Sequence, residues 1–158
     1  MKGSMICIDG SLHSTGVAIF EDGKLETSFT IKVSSKYKGF DAIEQMVGEF
    51  FYLDRIRTVF YDTCVFEIQE RRQGDRATIK NIMNLHACCV AVALSVSADK
   101  YIPLLPREWK GSVPKKIHNA RIAAKYKDFM EEMGNVSNDE LDAIGMGDFV
   151  LTKYKGGK

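Results

Sequence analysis

Hydrophobic and polar positions along the chain follow two periods. Residues 5–9 (MICID) form a short apolar run that stops on a carboxylate, Asp9, and residues 16–21 (GVAIFE) form a second. Both have the length and composition of buried strands. Asp22-Gly23 is a hairpin signal, so residues 24–32 are expected to pair as a third strand. The period then changes. Phe40, Ile43, Met46, Val47, Phe50 and Phe51 recur at helical spacing across 40–53. Val59–Ile68 is rich in β-branched and aromatic residues and predicts a fourth strand closing near Glu70. Ile79, Ile82, Met83, His86, Cys89, Val90, Ala93 and Leu94 describe one face of an amphipathic helix over 79–97. Tyr101–Leu105 is a short strand among prolines. Residues 115–133 predict a long helix with Ile122, Tyr126, Phe129, Met130 and Met133 inward. Ser137-Asn138-Asp139-Glu140 matches a capping box, so a last helix starts there.

The predicted order is β-β-β-α-β-α-β-α-α. Three strands joined by tight turns make an antiparallel meander, and strands that alternate with helices need parallel crossovers. The expectation is an α/β protein with a five-stranded mixed sheet, a β1-β2-β3 meander followed by parallel β4 and β5, and helices on its faces. The 158 residues suit a single domain over 1–158 with a real core. No apolar stretch is long enough for a bilayer and the N-terminus lacks a signal-peptide core, so no membrane partner is expected. The four cysteines form no CxxC pair and have apolar neighbours, which favours a reducing, cytoplasmic location over a zinc site, and the missing targeting segment fits a bacterial cell or a phage-infected host cell.

Net charge is only +1, but its distribution is uneven. Between 107 and 127, Arg107, Lys110, Lys115, Lys116, Arg121, Lys125 and Lys127 face Glu108 alone, and Arg71, Arg72, Arg76 and Lys80 face Asp75. Two basic blocks in a near-neutral chain suggest a footprint for a polyanion, against the plainer reading of solvated charge.

Four carboxylates give that footprint a chemistry. Asp9 ends the first strand and Glu70 the fourth; if those strands run in the same direction at the middle of the sheet, their C-terminal ends adjoin, where open α/β sheets gather ligands. Glu67 competes with Glu70, but it lies inside the apolar run, and residues three apart on a strand face opposite sides, so Glu70 is preferred. Asp139 and Asp142, three apart at a helix start, share a face. The helix dipole offsets part of their repulsion and a cation would offset the rest; an exposed acidic first turn is the plainer alternative. Asp148 should point elsewhere. Together, Asp9, Glu70, Asp139 and Asp142 would make a hard oxygen site for Mg²⁺, with two ions about 3.5–4 Å apart clamping an in-line phosphoryl displacement. Mn²⁺ is an acceptable substitute.

These motifs resemble those of RuvC-type Holliday junction resolvases of the RNase H-like superfamily. In "IDGSLHSTGVAIF", Asp9, Ser11, Thr15 and Gly16 match the family's first-strand motif, while Gly10 stands where Pro is frequent. "FEIQERRQGD" falls where the family closes its fourth strand on a Glu, and counting back from the small-residue helix "NLHACCVAVAL" selects Glu70, although its "QERR" context departs from the pattern. "PREWKGSVPKK" is similar to a Trp-Lys and Pro-Lys segment of phage-type relatives, and "NDELDAIGMGDFVL" to the closing helix with its two Asp. The resemblance covers roughly residues 5–150. It implies an RNase H-like fold and a Mg²⁺-dependent homodimeric endonuclease that cuts four-way DNA junctions with paired nicks. Asp9, Glu70, Asp139 and Asp142 would be its metal ligands, with Lys110 and Lys115 near the scissile phosphates. Arg71, Arg72 and Lys116 complete the expected DNA contacts.

Other residues read more plainly. His86 is expected in the core, His13 in an exposed turn, Trp109 as a loop anchor or a stacking surface, and Cys88-Cys89 in close helix packing. Three rival functions stand beside the nuclease. A nuclease of the same fold could act on flaps or RNA–DNA hybrids. A silent DNA-binding member would lack a complete carboxylate set. An actin-like or sugar-kinase ATPase would need a second domain and a second Gly-rich phosphate loop, which 158 residues do not offer.

Overall fold

In a computed structural model, which describes residues 2–53, 56, 58–69 and 79–155, five strands form one mixed sheet in the order β3-β2-β1-β4-β5. They are β1 (Ser4–Asp9), β2 (Ser14–Glu21), β3 (Lys24–Lys32), β4 (Tyr61–Glu67) and β5 (Ala98–Leu104). β1, β2 and β3 pair antiparallel, while β4 runs parallel to both β1 and β5. Asp22 and Gly23 both adopt positive φ, 50° and 78°, as a two-residue turn matched to strand twist requires. Among the described residues the sheet is accompanied by helices α1 (Phe40–Tyr52), α2 (Ile79–Leu94), the one-turn α3 (Pro106–Trp109), α4 (Lys115–Lys125), α5 (Lys127–Met133) and α6 (Asn138–Lys155). Among the described residues no helix is long and apolar enough to cross a membrane.

Strand alternation divides the core in two. Ile6, Ile8, Cys64 and Phe66 pack with α1 and α2 on one face. Met5, Cys7, Ala18, Phe20 and Val65 pack with α6, Ile122 and Trp109 on the other. All four cysteines are buried free thiols.

Several expectations change. The fourth strand starts at Tyr61 and closes on Glu67, three residues before Glu70. The helix expected over 115–133 breaks at Tyr126, whose ring turns inward, edge-on to Phe20 with centroids 6.3 Å apart. Its hydroxyl donates to Asp148 at 2.9 Å, and Asp148 also pairs with Lys125, away from Asp139 as expected. The third change concerns which face of α2 is inside. Its buried residues are Cys88, Cys89, Val92 and Ala93, while Ile79, Met83, His86 and Leu94 are exposed. Close approach decides this. The Cys89 and Cys88 thiols donate to the carbonyls of Gly10 and Ser11 at 3.3 and 3.5 Å, so α2 lies too near the sheet for large side chains there. His86 is therefore no core histidine. His13, in contrast, is half-buried, and its Nδ1 is enclosed without a partner.

The predicted capping box forms. Ser137 N donates to Glu140 Oε1 and Glu140 N to Ser137 Oγ, each at 3.2 Å. Glu140, buried, also accepts from Ser28 Oγ at 2.7 Å and Thr30 Oγ1 at 2.8 Å, which ties the start of α6 to β3. Gly16 permits that docking: a Cβ there would lie 2.1 Å from the Asp139 carbonyl oxygen.

Candidate active site

The site is built where β1 and β4 end. In the parallel register Cys7 pairs with Val65 and Ile8 with Phe66, so Asp9 and Glu67 follow as neighbours. Alternation turns both toward α6, with Cys7 and Val65. Glu67 is buried and each of its oxygens has a donor. Trp109 Nε1 donates to Oε2 at 3.0 Å and Gln69 Nε2 to Oε1 at 2.6 Å. Asp9 is half-buried and, across the sheet, pairs with Gly16, the residue that seats α6.

The third carboxylate comes from α6. Asp142 is 2% exposed, and its Oδ2 receives Lys115 Nζ at 2.7 Å and Lys110 Nζ at 3.4 Å. Asn119, its amide assigned with nitrogen toward the carboxylate, donates to Oδ1 at 2.9 Å. Asp139, one turn earlier, sits at the rim and accepts from Ser14 Oγ. Asp9, Glu67 and Asp142 therefore share one electrostatic environment. Asp139 joins it through Lys115, which feels both α6 carboxylates. Lys116 is exposed. Glu70, Arg71 and Arg72 lie outside the described residues.

Electrostatics follow from this crowding. Burial pushes the Asp9 carboxyl well above the usual carboxylate range; Glu67 and Asp142 add to the rise, while Lys115 and Lys110 pull it back in part. Burial likewise raises Glu67, against the charge of Lys110 and the two hydrogen bonds from Gln69 and Trp109. Burial lowers the Lys115 pKa, but the hydrogen bond and charge of Asp142, with Asp9 and Asp139, outweigh it, so the ammonium is held above its ordinary value. Carboxylates forced together in this way gain from a cation, and an all-oxygen donor set suits a hard divalent one. As the side chains stand, the cations on Asp142 are the two lysines. Among the described residues no three His, Cys, Asp or Glu are grouped closely enough to hold an ion. Carboxylate oxygens as a donor set suit a hard divalent cation such as Mg²⁺.

Of the partners in this site, Glu67 stood second to Glu70 in the sequence, Trp109 read as a loop anchor or a stacking surface, and Asn119 was not singled out. Glu67 has a signal in its parity with Val65, but that parity carries meaning only once the β1–β4 register is known. Trp109 and Asn119 have none, since each reaches a carboxylate from a different element.

No family model and no curated protein matches the sequence. Solved structures match its fold over nearly the whole chain. The structure of Thermus thermophilus RuvC superposes with a TM-score of 0.65 at 13% identity, covering 97% of this chain and 96% of that one. T. thermophilus RuvC in complex with Holliday junction substrate gives 0.65 at 10% identity and the same coverage. The Fowlpox virus resolvase in complex with substrate Holliday junction DNA gives 0.54 at 14% identity over 96% and 98% of the two chains. The neighbours are RuvC and poxvirus resolvases, and the fold is the RNase H-like one they share.

Proposed function

We propose that this chain is a metal-dependent endonuclease that resolves four-way or branched DNA junctions, acting as a homodimer to place paired symmetric nicks. The observation that carries the reading is the convergence of Asp9, Glu67 and Asp142, from three separate elements, at one sheet edge with Lys110 and Lys115 directly on Asp142. Support for the substrate comes from the fold, shared with proteins whose structures hold junction DNA.

Asp9, Glu67 and Asp142, with Asp139 at the rim, would hold Mg²⁺, as two ions in the two-metal arrangement. Glu67 replaces Glu70 as the proposed β4 ligand because it ends the strand on the face of Asp9. When bound, the ions supply Lewis-acid polarisation of the phosphate and charge for the leaving oxygen. The chain's own residues do the remaining work. Gln69 donates to the Glu67 carboxylate, Asn119 orients Asp142, and Lys110 and Lys115, now on Asp142, would be placed to meet the phosphodiester.

The test is cleavage of a labelled four-way junction in Mg²⁺, beside duplex, flap and RNA–DNA hybrid controls. Symmetric nicks on the junction are expected, abolished in Asp9→Asn and reduced at least a hundredfold in Glu67→Gln, while Glu70→Gln retains activity. An uncut junction, or an active Asp9→Asn, sinks the reading. Preferred cutting of flaps or hybrids reassigns the substrate within the same chemistry.

A further inference from the structure

We infer that Trp109 is a positioning residue for the metal site, acting through Glu67. The inference rests on the metal-site reading above and adds a residue that the reading does not require.

The chain contains one tryptophan, and its placement is built by the corner after β5. Glu67 pairs with Leu104 in the β4–β5 register, and Ile68 N donates to the Leu104 carbonyl at 2.9 Å, so the two strands leave the sheet side by side. The one-turn α3 follows at once, its start held by Glu108 Oε2 accepting from Leu105 N at 2.7 Å. That turn brings Trp109 back over Glu67. The indole is 7% exposed, and its N–H donates to Glu67 Oε2 at 3.0 Å.

Its faces and edges are also occupied. Lys110 Nζ lies 4.5 Å from the ring centroid while reaching Asp142 at 3.4 Å, and His118 meets the ring edge-on at 5.0 Å. On α6, a Cβ at Gly145 would stand 3.0 Å from the ring, so this glycine, one turn beyond Asp142, leaves the indole its space. The ring thus touches the β4 carboxylate by hydrogen bond and the α6 carboxylate through the lysine above it. A buried donor that fixes one carboxylate oxygen settles the direction of the other lone pairs, which is how an outer partner tunes a metal ligand. An apolar anchor would need the ring volume alone; the N–H on Glu67 is what separates the two roles.

The experiment replaces tryptophan biosynthetically by benzothienylalanine, which keeps the bicyclic ring and puts sulfur where the indole N–H was. A single tryptophan makes this a one-site change. Mn²⁺ affinity is read from the electron paramagnetic resonance of free ion, without DNA or turnover. The expected result is an unchanged melting temperature with Mn²⁺ affinity weakened roughly ten- to a hundredfold. Trp109→Phe should show the same loss, and it decides the matter if the analogue does not fold. In the metal-free wild type, the one indole ¹H–¹⁵N resonance should shift in Glu67→Ala. Equal Mn²⁺ affinity in protein with and without the N–H, or an indole resonance indifferent to Glu67, overturns the inference. A wild type that binds no Mn²⁺ overturns the metal site and with it this role, while a resonance that still responds to Glu67 would identify the contact as structural only.

Discussion

Asp9 is held in the folded state at a cost, and the cost has a sign. Its carboxyl is raised by burial and by Glu67 and Asp142, so the folded chain retains a proton that the unfolded chain has lost. Stability from this group is therefore greatest at acid pH and declines as pH rises from the ordinary Asp value, about 3.9, to the raised one. Glu67 acts in the same direction. In metal-free buffer at pH 7–8, Asp9→Asn should raise the melting temperature, by about 2–4 °C for each kcal/mol of relieved repulsion. The gain should vanish near and below pH 4. A thermal melt series across pH checks both; a variant less stable than wild type at neutral pH would mean that Asp9 is not crowded as described. Asp9 itself was legible in the sequence, because an apolar run that ends on Asp before a Ser/Thr/Gly turn is a local pattern. Its partner Glu67 was weighed there and ranked behind Glu70. Position along a strand does not reveal which neighbour it meets.

At the scale of elements, α6 joins packing to chemistry. Its start was readable from Ser137 and Glu140, whose reciprocal bonds are set by four consecutive residues. Its docking was not, because that depends on Gly16, more than a hundred residues away in the chain. Gly16→Ala would drive a methyl into the Asp139 backbone, and backbone cannot swing aside as a long side chain can. We expect a loss of at least about 1–3 kcal/mol in urea unfolding. Cleavage should fall further than stability alone explains, since the shift moves Asp139 and Asp142 away from Asp9. Cleavage equal to wild type in the folded variant would disconnect the seat of α6 from the site. The α2 helix shows the opposite balance. Its period was read correctly, but its inward face was rotated, since the Cys88 and Cys89 contacts with Gly10 and Ser11 favour small residues over the larger Ile79, Met83 and Leu94.

Across the whole molecule, the sheet order brings the basic segment 107–127 against the acidic site, so a net charge of +1 conceals a local match of opposite charges. If those lysines meet DNA phosphates, junction binding by the cleavage-dead Asp9→Asn variant should weaken steeply with salt. For six to ten phosphate contacts the loss between 50 and 200 mM is roughly 10³–10⁵-fold. Lys115→Ala should flatten the slope by about one phosphate contact. A salt-independent affinity, measured by fluorescence anisotropy, would exclude backbone recognition by this surface.

By itself the sequence determined the order of the main elements, the meander, the parallel crossovers, the α6 cap and the places of Asp9, Asp139 and Asp142 on them. Each of these is written in short-range periodicity, turn chemistry or helical spacing. Only the tertiary structure decided that β4 closes at Glu67, that this carboxylate stands beside Asp9, and that Trp109 and Asn119 reach the site. The reason is register. Pairing Cys7 with Val65 turns Glu67 toward α6, and a slip of one residue would send it to the other face of the sheet. That pairing is set by packing of both sheet faces at once, which no local stretch of the chain encodes.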